Sequence, residues 1–186
     1  MADTMAASRF AIPSGGPLPD YLPPKAGAPD LELLFVGINP GRRSAETGHH
    51  YAGQGNHFWP LLHESWLVPE PLSYEDDWRT PEFGIGLTNL VARASPAMED
   101  LSLEEMREGA ARLREKILRY QPRIVCFNGK RIFEVFAGRR CRLGLQPERV
   151  GRSRLFVMPS TSARTASYQR DAKLAYFRQL HDLLRM

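Results

Sequence analysis

Short apolar runs alternate along this chain with stretches whose apolar residues recur every three or four positions. Residues 31–36, LELLFV, form the first run and predict a strand. The chain then turns at GINPG, residues 37–41, and spends some fifteen residues on polar, aromatic and glycine positions. A strand delivering a chemically busy loop is expected there. Phe58, Leu61 and Leu62 place a helix over 56–65, with Asn56 able to cap its start. Residues 67–82, rich in Pro, Glu and Asp, predict an irregular connection. GIGLTNLV at 84–91 is rich in glycine, and Ile85, Leu87 and Leu90 place it across or beside a sheet.

The clearest helix starts at Ser102. Ser102 and Glu105 have capping-box spacing, and Leu103, Met106, Ala110, Leu113 and Ile117 recur on one face. Pro122 follows the helix, and residues 124–127, IVCF, read as a buried strand of the parallel-sheet kind. Gly129 opens another helix to about Phe136. Residues 139–152 are basic and irregular, 155–157 give a last strand, and a helix over 169–184 carries Leu174, Phe177, Leu180 and Leu184 as its stripe. Strands alternating with helices predict one α/β domain whose mostly parallel sheet is covered on both faces. That domain is expected over residues 30–186. Residues 1–29, proline-rich and without a period, predict a flexible arm or an extended segment laid on the surface.

Composition adds limits. The chain has 186 residues, enough for one well-buried domain and short for two, with 42% hydrophobic and 25% charged residues. No apolar run is long enough to cross a membrane, and the first 30 residues lack the apolar core of a secretion signal, so a cytoplasmic setting is expected. Cys126 and Cys141 are expected as reduced thiols. The net charge is only +4, but it is unevenly spread. Residues 1–118 hold 10 Lys/Arg against 17 Asp/Glu, whereas residues 119–178 hold 14 against 3. The second half therefore suits an anionic partner, nucleic acid first, with a solvated arginine-rich surface as the plainer alternative.

Ligands of open parallel sheets sit beyond the carboxyl ends of the strands. The Asn39 loop, the Asn128 turn and the loop 159–168 each follow a strand and can open on one rim. In the last of these, Ser160, Thr161, Ser162 and Arg164 offer hydroxyls, backbone N–H groups and a guanidinium suited to phosphate, although a turn leading into a helix cap would use the same residues. Asn39 can donate to and accept from a water or a base edge, but it does not titrate and is no strong general base. His49, His50 and His57 lack partners at metal-ligand spacing, which argues against zinc. No G-K-[ST] follows the loop glycines and no GxGxxG occurs. Tyr51, flanked by glycines, is either a stacking platform for a base or a satellite of the core.

Five blocks then become informative together: GINPG at 37–41, GHHYAGQGNHFW at 48–59, GIGLTNLVAR at 84–93, YQPRIVCFNGK at 120–130 and MPSTSAR at 158–164. In this order they closely resemble the mismatch-specific uracil/thymine-DNA glycosylases of the uracil-DNA glycosylase superfamily, over about residues 31–184. The resemblance implies a monomeric three-layer α/β/α domain. It would turn uracil, or thymine and related lesions, out of double-stranded DNA at a G:U or G:T mismatch and hydrolyse the N-glycosidic bond without metal or cofactor. By resemblance, Asn39 positions the attacking water and Tyr51 stacks on the extruded base. Ile38, His50, Asn89 and Ser95 fall at pocket positions. Ser160 and Ser162 match phosphate contacts and Arg164 the wedge that fills the vacated gap, while Asn128 and Lys130 lie on the DNA side. MPSTSAR places the chain nearer the thymine-processing branch. Arg42 and Arg43, directly after GINPG, are a departure; they either aid DNA binding or face solvent.

Two other classes remain open. A nucleotide-processing hydrolase would need a divalent ion and clustered carboxylates, which the loops lack. A non-catalytic module that binds damaged or single-stranded DNA would use the basic half and Tyr51 equally well.

Overall fold

Apolar residues in unbroken succession belong to strands covered on both faces. The computed structural model, which describes residues 16–23, 30–165 and 167–186, shows this for β1 (Leu33–Gly37), buried at every position. On either side lie β2 (Ile85–Asn89) and β3 (Ile124–Asn128), both parallel to it. Beyond β3, strand β5 (Ser153–Met158) continues the parallel set, and β4 (Gly144–Val150) closes the sheet antiparallel to β5. The order is β2-β1-β3-β5-β4. The chain leaves β1 toward β2 and later returns to β1's other side as β3, which opens a crevice at the carboxyl end of β1.

Successive residues of each strand point to opposite faces, so two cores form. Leu34, Val36, Val125, Phe127, Leu155 and Val157 pack under helices α3 (Leu103–Tyr120) and α4 (Lys130–Ala137). Leu33, Phe35, Ile124, Cys126, Phe156 and Met158 pack under α2 (Phe58–Glu64) and α5 (Arg170–Arg185). The layers are therefore α/β/α, as expected. The capping box of α3 is formed: Ser102 Oγ accepts the Glu105 N–H at 3.1 Å and Glu105 accepts the Ser102 N–H at 2.9 Å. Gly109 lets α3 approach the backbone just beyond β2, since a Cβ there would run into the Leu90 carbonyl.

Several expectations need correction. The glycine-rich stretch after residue 84 is a full parallel strand, β2. Within the loop after GINPG the chain forms a short helix, α1 (Arg42–Thr47), which buries only Ser44 and Ala45 and so carries no apolar stripe. The connection before Gly84 is a 3-10 segment over Tyr74–Phe83, started by a capping box at Ser73. The basic stretch after Arg139 contains β4. Pro147 and the charged residues hid it, and both fit an edge strand whose register shifts between Leu145 and Arg149. Leu103 is exposed at the first turn of α3, and the buried residues of the helix are Met106, Gly109, Leu113 and Ile117.

Part of the expected arm is packed. Tyr21 pairs with Leu87 through two backbone hydrogen bonds of 3.0 and 2.9 Å, antiparallel to the outer edge of β2. Asp20 accepts from the Thr88 hydroxyl at 2.6 Å and pairs with Lys116 of α3. Residues 1–15 and 24–29 of that arm lie outside the described residues. Among the described residues, no helix is long and apolar enough to cross a membrane.

Candidate active site

β1 ends at Gly37 and delivers Ile38, Asn39 and Pro40 to the carboxyl rim. Nδ2 of Asn39 donates to Ser95 Oγ at 2.8 Å and to the Arg93 carbonyl at 3.1 Å, with the Pro40 carbonyl at 3.4 Å. Carbonyls only accept, so these neighbours fix which end of the amide faces inward. Oδ1 meets no donor among the described residues and is the end free to accept from a water. Ser95 is itself locked, its hydroxyl donating to the Ala97 carbonyl at 2.6 Å. The segment after β2 is thus tied to Asn39, and Val91 N–H to the Ile38 carbonyl at 2.8 Å adds a second tie.

Tyr51 sits in the left-handed region at φ 55, a setting that costs a bulky side chain about 1 kcal/mol or more. That backbone turn lays its ring flat on Phe58, centroids 3.9 Å apart and planes 16° from parallel. Phe58 belongs to the core, so the ring is a core satellite on one face and can be a platform on the other. Its hydroxyl is buried and meets no partner among the described residues, and burial pushes the phenol well above its usual range. Asn89 closes the neighbouring wall. Its amide lies over Gly37, where any Cβ would collide with it.

His50 is buried, and its Nε2 lies 2.8 Å from the Pro19 carbonyl, an acceptor, so Nε2 carries the proton. Burial pushes the imidazole below its ordinary value, with the Pro19 contact and Asp77 opposing, which favours the neutral ring. The His50 N–H donates to Asp77 Oδ2 at 2.7 Å, and His49 Nδ1 lies 3.0 Å from Asp77 Oδ1. A wholly buried carboxylate from the 3-10 segment therefore sets the turn that carries Tyr51. Nothing in the sequence marks Asp77 for this. Leu18, on the same packed segment as Pro19, forms part of the cavity wall and was equally unmarked.

The opposite wall is the loop after β5. Asn128 and Thr161 clasp each other: Asn128 Nδ2 donates to Thr161 Oγ1 at 2.9 Å, and Thr161 N–H donates to Asn128 Oδ1 at 2.9 Å. Asn128 thus spends both ends of its amide bracing the loop. Thr161 is also held through its carbonyl by the His57 N–H at 3.0 Å. Ser160 and Ser162 hydroxyl oxygens each accept a backbone N–H at 3.3 Å, from Ser162 and Arg164, so each hydroxyl keeps an O–H to donate. Arg164 is exposed.

Ile38, Asn39, His50, Tyr51, Asn89, Ser95, Asn128, Ser160, Ser162 and Arg164 all border one cavity of about 530 Å³ at the carboxyl rim. Lys130 does not: it lines a separate shallow cleft with Arg131, Arg139 and Arg140. Arg42 and Arg43 edge the main cavity, Arg42 paired with Glu46 at 2.8 Å. The histidines do not converge, and among the described residues no three His, Cys, Asp or Glu gather as metal ligands. Cys126 is buried in β3, Cys141 follows α4, and both are free thiols.

An open, mostly parallel sheet with a cavity at its carboxyl rim, built around an uncharged amide and faced by a hydroxyl-rich loop, defines an α/β domain of the class whose ligands sit at a strand switch point. Comparison with known proteins supplies the family. Residues 24–185 match the Uracil DNA glycosylase superfamily, and the chain belongs to it. It is 37% identical over 167 residues to a G/U mismatch-specific uracil DNA glycosylase of Schizosaccharomyces pombe, a match covering 84% of this chain. The chain spans about half the length of that relative, 50% of which is matched.

Proposed function

We propose that the protein is a monofunctional, mismatch-directed DNA glycosylase. It turns uracil out of double-stranded DNA, foremost opposite guanine, and hydrolyses its N-glycosidic bond as a first step of base excision repair. The observation that carries this is the Asn39 amide, anchored by Nδ2 and open at Oδ1, at the mouth of a cavity shared with Tyr51, Asn89 and the Ser160–Arg164 loop. The superfamily membership and the G/U mismatch-specific uracil DNA glycosylase of fission yeast to which the chain is similar support it.

The chemistry follows from what the residues are able to do. Turning a nucleotide out costs a few kcal/mol and is cheapest at a mispair, so selection begins before any bond breaks. The extruded pyrimidine stacks on the free face of Tyr51. Asn89, whose amide meets no partner among the described residues, bonds the base edge and helps stabilise the leaving pyrimidine anion. As the bond from C1′ to the base breaks, the sugar gains oxocarbenium character. A water held by Asn39 Oδ1 adds to C1′, and its proton passes through solvent to the departing pyrimidine anion, leaving free base and an abasic site. An amide cannot take that proton, so the water is poorly activated and turnover is slow. Arg164 enters the gap in the duplex while Ser160 and Ser162 hold phosphate. A thymine methyl changes the fit by only about 1 to 3 kcal/mol, which makes G:T a slower substrate of the same site. The protein acts as a monomer and without a metal.

Duplexes carrying G:U, G:T or A:U, and single-stranded U, incubated with the protein in EDTA test this directly. Free base and an alkali-labile site should appear first and fastest with G:U. Intact binding with no base release from any of the four would favour a non-catalytic DNA-damage binding module instead.

A further inference from the structure

Lys173 lies in the first turn of α5, and only 1% of its surface is exposed. Its ammonium donates to the Ser162 carbonyl at 3.0 Å, and among the described residues no carboxylate pairs with it. Two effects oppose a cation here. Burial strips its water and lowers the lysine's pKa, and the amino-terminal end of a helix repels positive charge. The neighbours give no relief: Arg170 is occupied by Glu64, and His57 is pushed toward its neutral form by burial and by Lys173 and Arg170. A buried charge without a counter-ion, set directly beneath a loop that faces the cavity, is a site awaiting an anion.

We propose that Lys173 is a positioning residue for one DNA phosphate. Seated on the Ser162 carbonyl, its charge polarises the Ser162–Ala163 peptide. The Ala163 N–H and the Ser160 and Ser162 hydroxyls then grip the phosphate beside the extruded nucleotide. The inference rests on the glycosylase reading above for what the anion is. The geometry supports each part. A cation on a peptide oxygen strengthens the N–H at the other end of that peptide. Ala163 is exposed, and its N–H meets no acceptor among the described residues. The serine oxygens already accept within the loop, and each hydroxyl keeps an O–H to donate to an anion. The Asn128–Thr161 clasp and the His57 N–H hold the loop backbone in place, so the charge has a fixed dipole to act through. The phosphate, not a protein carboxylate, is the missing counter-ion.

Full-length wild type, Lys173→Met and Lys173→Gln are compared on a G:U duplex whose uridine carries a 2′-fluoro sugar, which resists cleavage, and on ordinary G:U duplex for rate. Methionine removes charge and donor, while glutamine removes the charge and keeps a donor for Ser162. Expected are folded variants, both with affinity weakened about tenfold at low salt and a binding slope against log salt shallower by up to about 0.9, the share of one phosphate. Excision at saturating DNA should stay within about twofold of wild type. The proposal is overturned if Lys173→Met binds with wild-type affinity and slope. It is equally overturned if Lys173→Gln behaves as wild type while Lys173→Met fails, or if both variants fail to fold, since Lys173 would then be a strut. Wild type that binds the mismatch but releases no uracil would sink the glycosylase reading alone, and the binding data would still decide Lys173.

Discussion

Asn39 is gripped at its amino end and open at its carbonyl end, and this asymmetry separates its two possible roles. A residue that mainly held DNA would present both ends. Asn39→Ala is therefore expected to lose excision by about a hundredfold or more while mismatch affinity shifts by no more than about threefold. Single-turnover rates set beside binding curves would check it; equal losses in both would return Asn39 to a binding role. Arg164 is the converse case, exposed at the cavity's edge and free of the interior. Arg164→Ala should lower the ratio of affinities for mismatched over matched duplex, and an unaltered ratio would remove it as the wedge. His50 lies between these two. Its ring is committed to Pro19 and its N–H to Asp77, so it shapes the pocket from a fixed, uncharged position.

Among the elements, α3 shows how a cap joins fold to site. Glu105 closes the capping box and also accepts two hydrogen bonds from Arg93, whose carbonyl in turn takes the Asn39 amide. Arg93, and then the Ser102 backbone, hold the Glu105 carboxyl down at about 2, against 4.5 ordinarily. A depressed carboxylate stabilises the fold above its unfolded value and loses that effect as pH falls through the folded one. Melting temperatures of wild type and Glu105→Gln should thus differ most above about pH 4.5 and converge toward pH 2. A constant gap would mean that the charge is irrelevant to the cap. The elements legible in the sequence were those with a strong period or an apolar run, namely β1, β3, β5 and the helices α2, α3, α4 and α5. Those that escaped it have physical reasons. Helix α1 buries only a serine and an alanine, and β4 is an edge strand with Pro147 at its register shift. Of the site, Asn39, Tyr51 and the serine loop were recognisable through the five blocks, because those residues lie within a few positions of turn-forming glycine or proline. Asp77, Leu18 and Lys173 were not, since each acts through a partner distant in sequence.

For the whole molecule, the basic half divides by position along the sheet. Gly144 pairs with Val157 near the carboxyl rim and Val150 with Ser153 at the far end, roughly 13 Å apart along the strand. Arg142 is therefore near the cavity side, as is Lys130 at the start of α4, whereas Arg149 and Arg152 stand at the opposite edge. Neutralising Lys130 and Arg142 should reduce the salt dependence of DNA binding by up to about 0.9 per lost phosphate contact. Neutralising Arg149 and Arg152 should leave the slope as it was. Equal effects from both pairs would mean that DNA wraps the domain instead of crossing one rim.

The segment across β2 has a further consequence. A sheet margin with bare N–H and C=O groups invites a strand from another molecule, and Tyr21, Asp20 and Leu22 shield this one. Removing residues 1–23 should therefore do more than reshape the pocket wall near Leu18. It should make the shortened protein self-associate as its concentration rises, read as an earlier elution volume in gel filtration, while the full chain's elution stays unchanged.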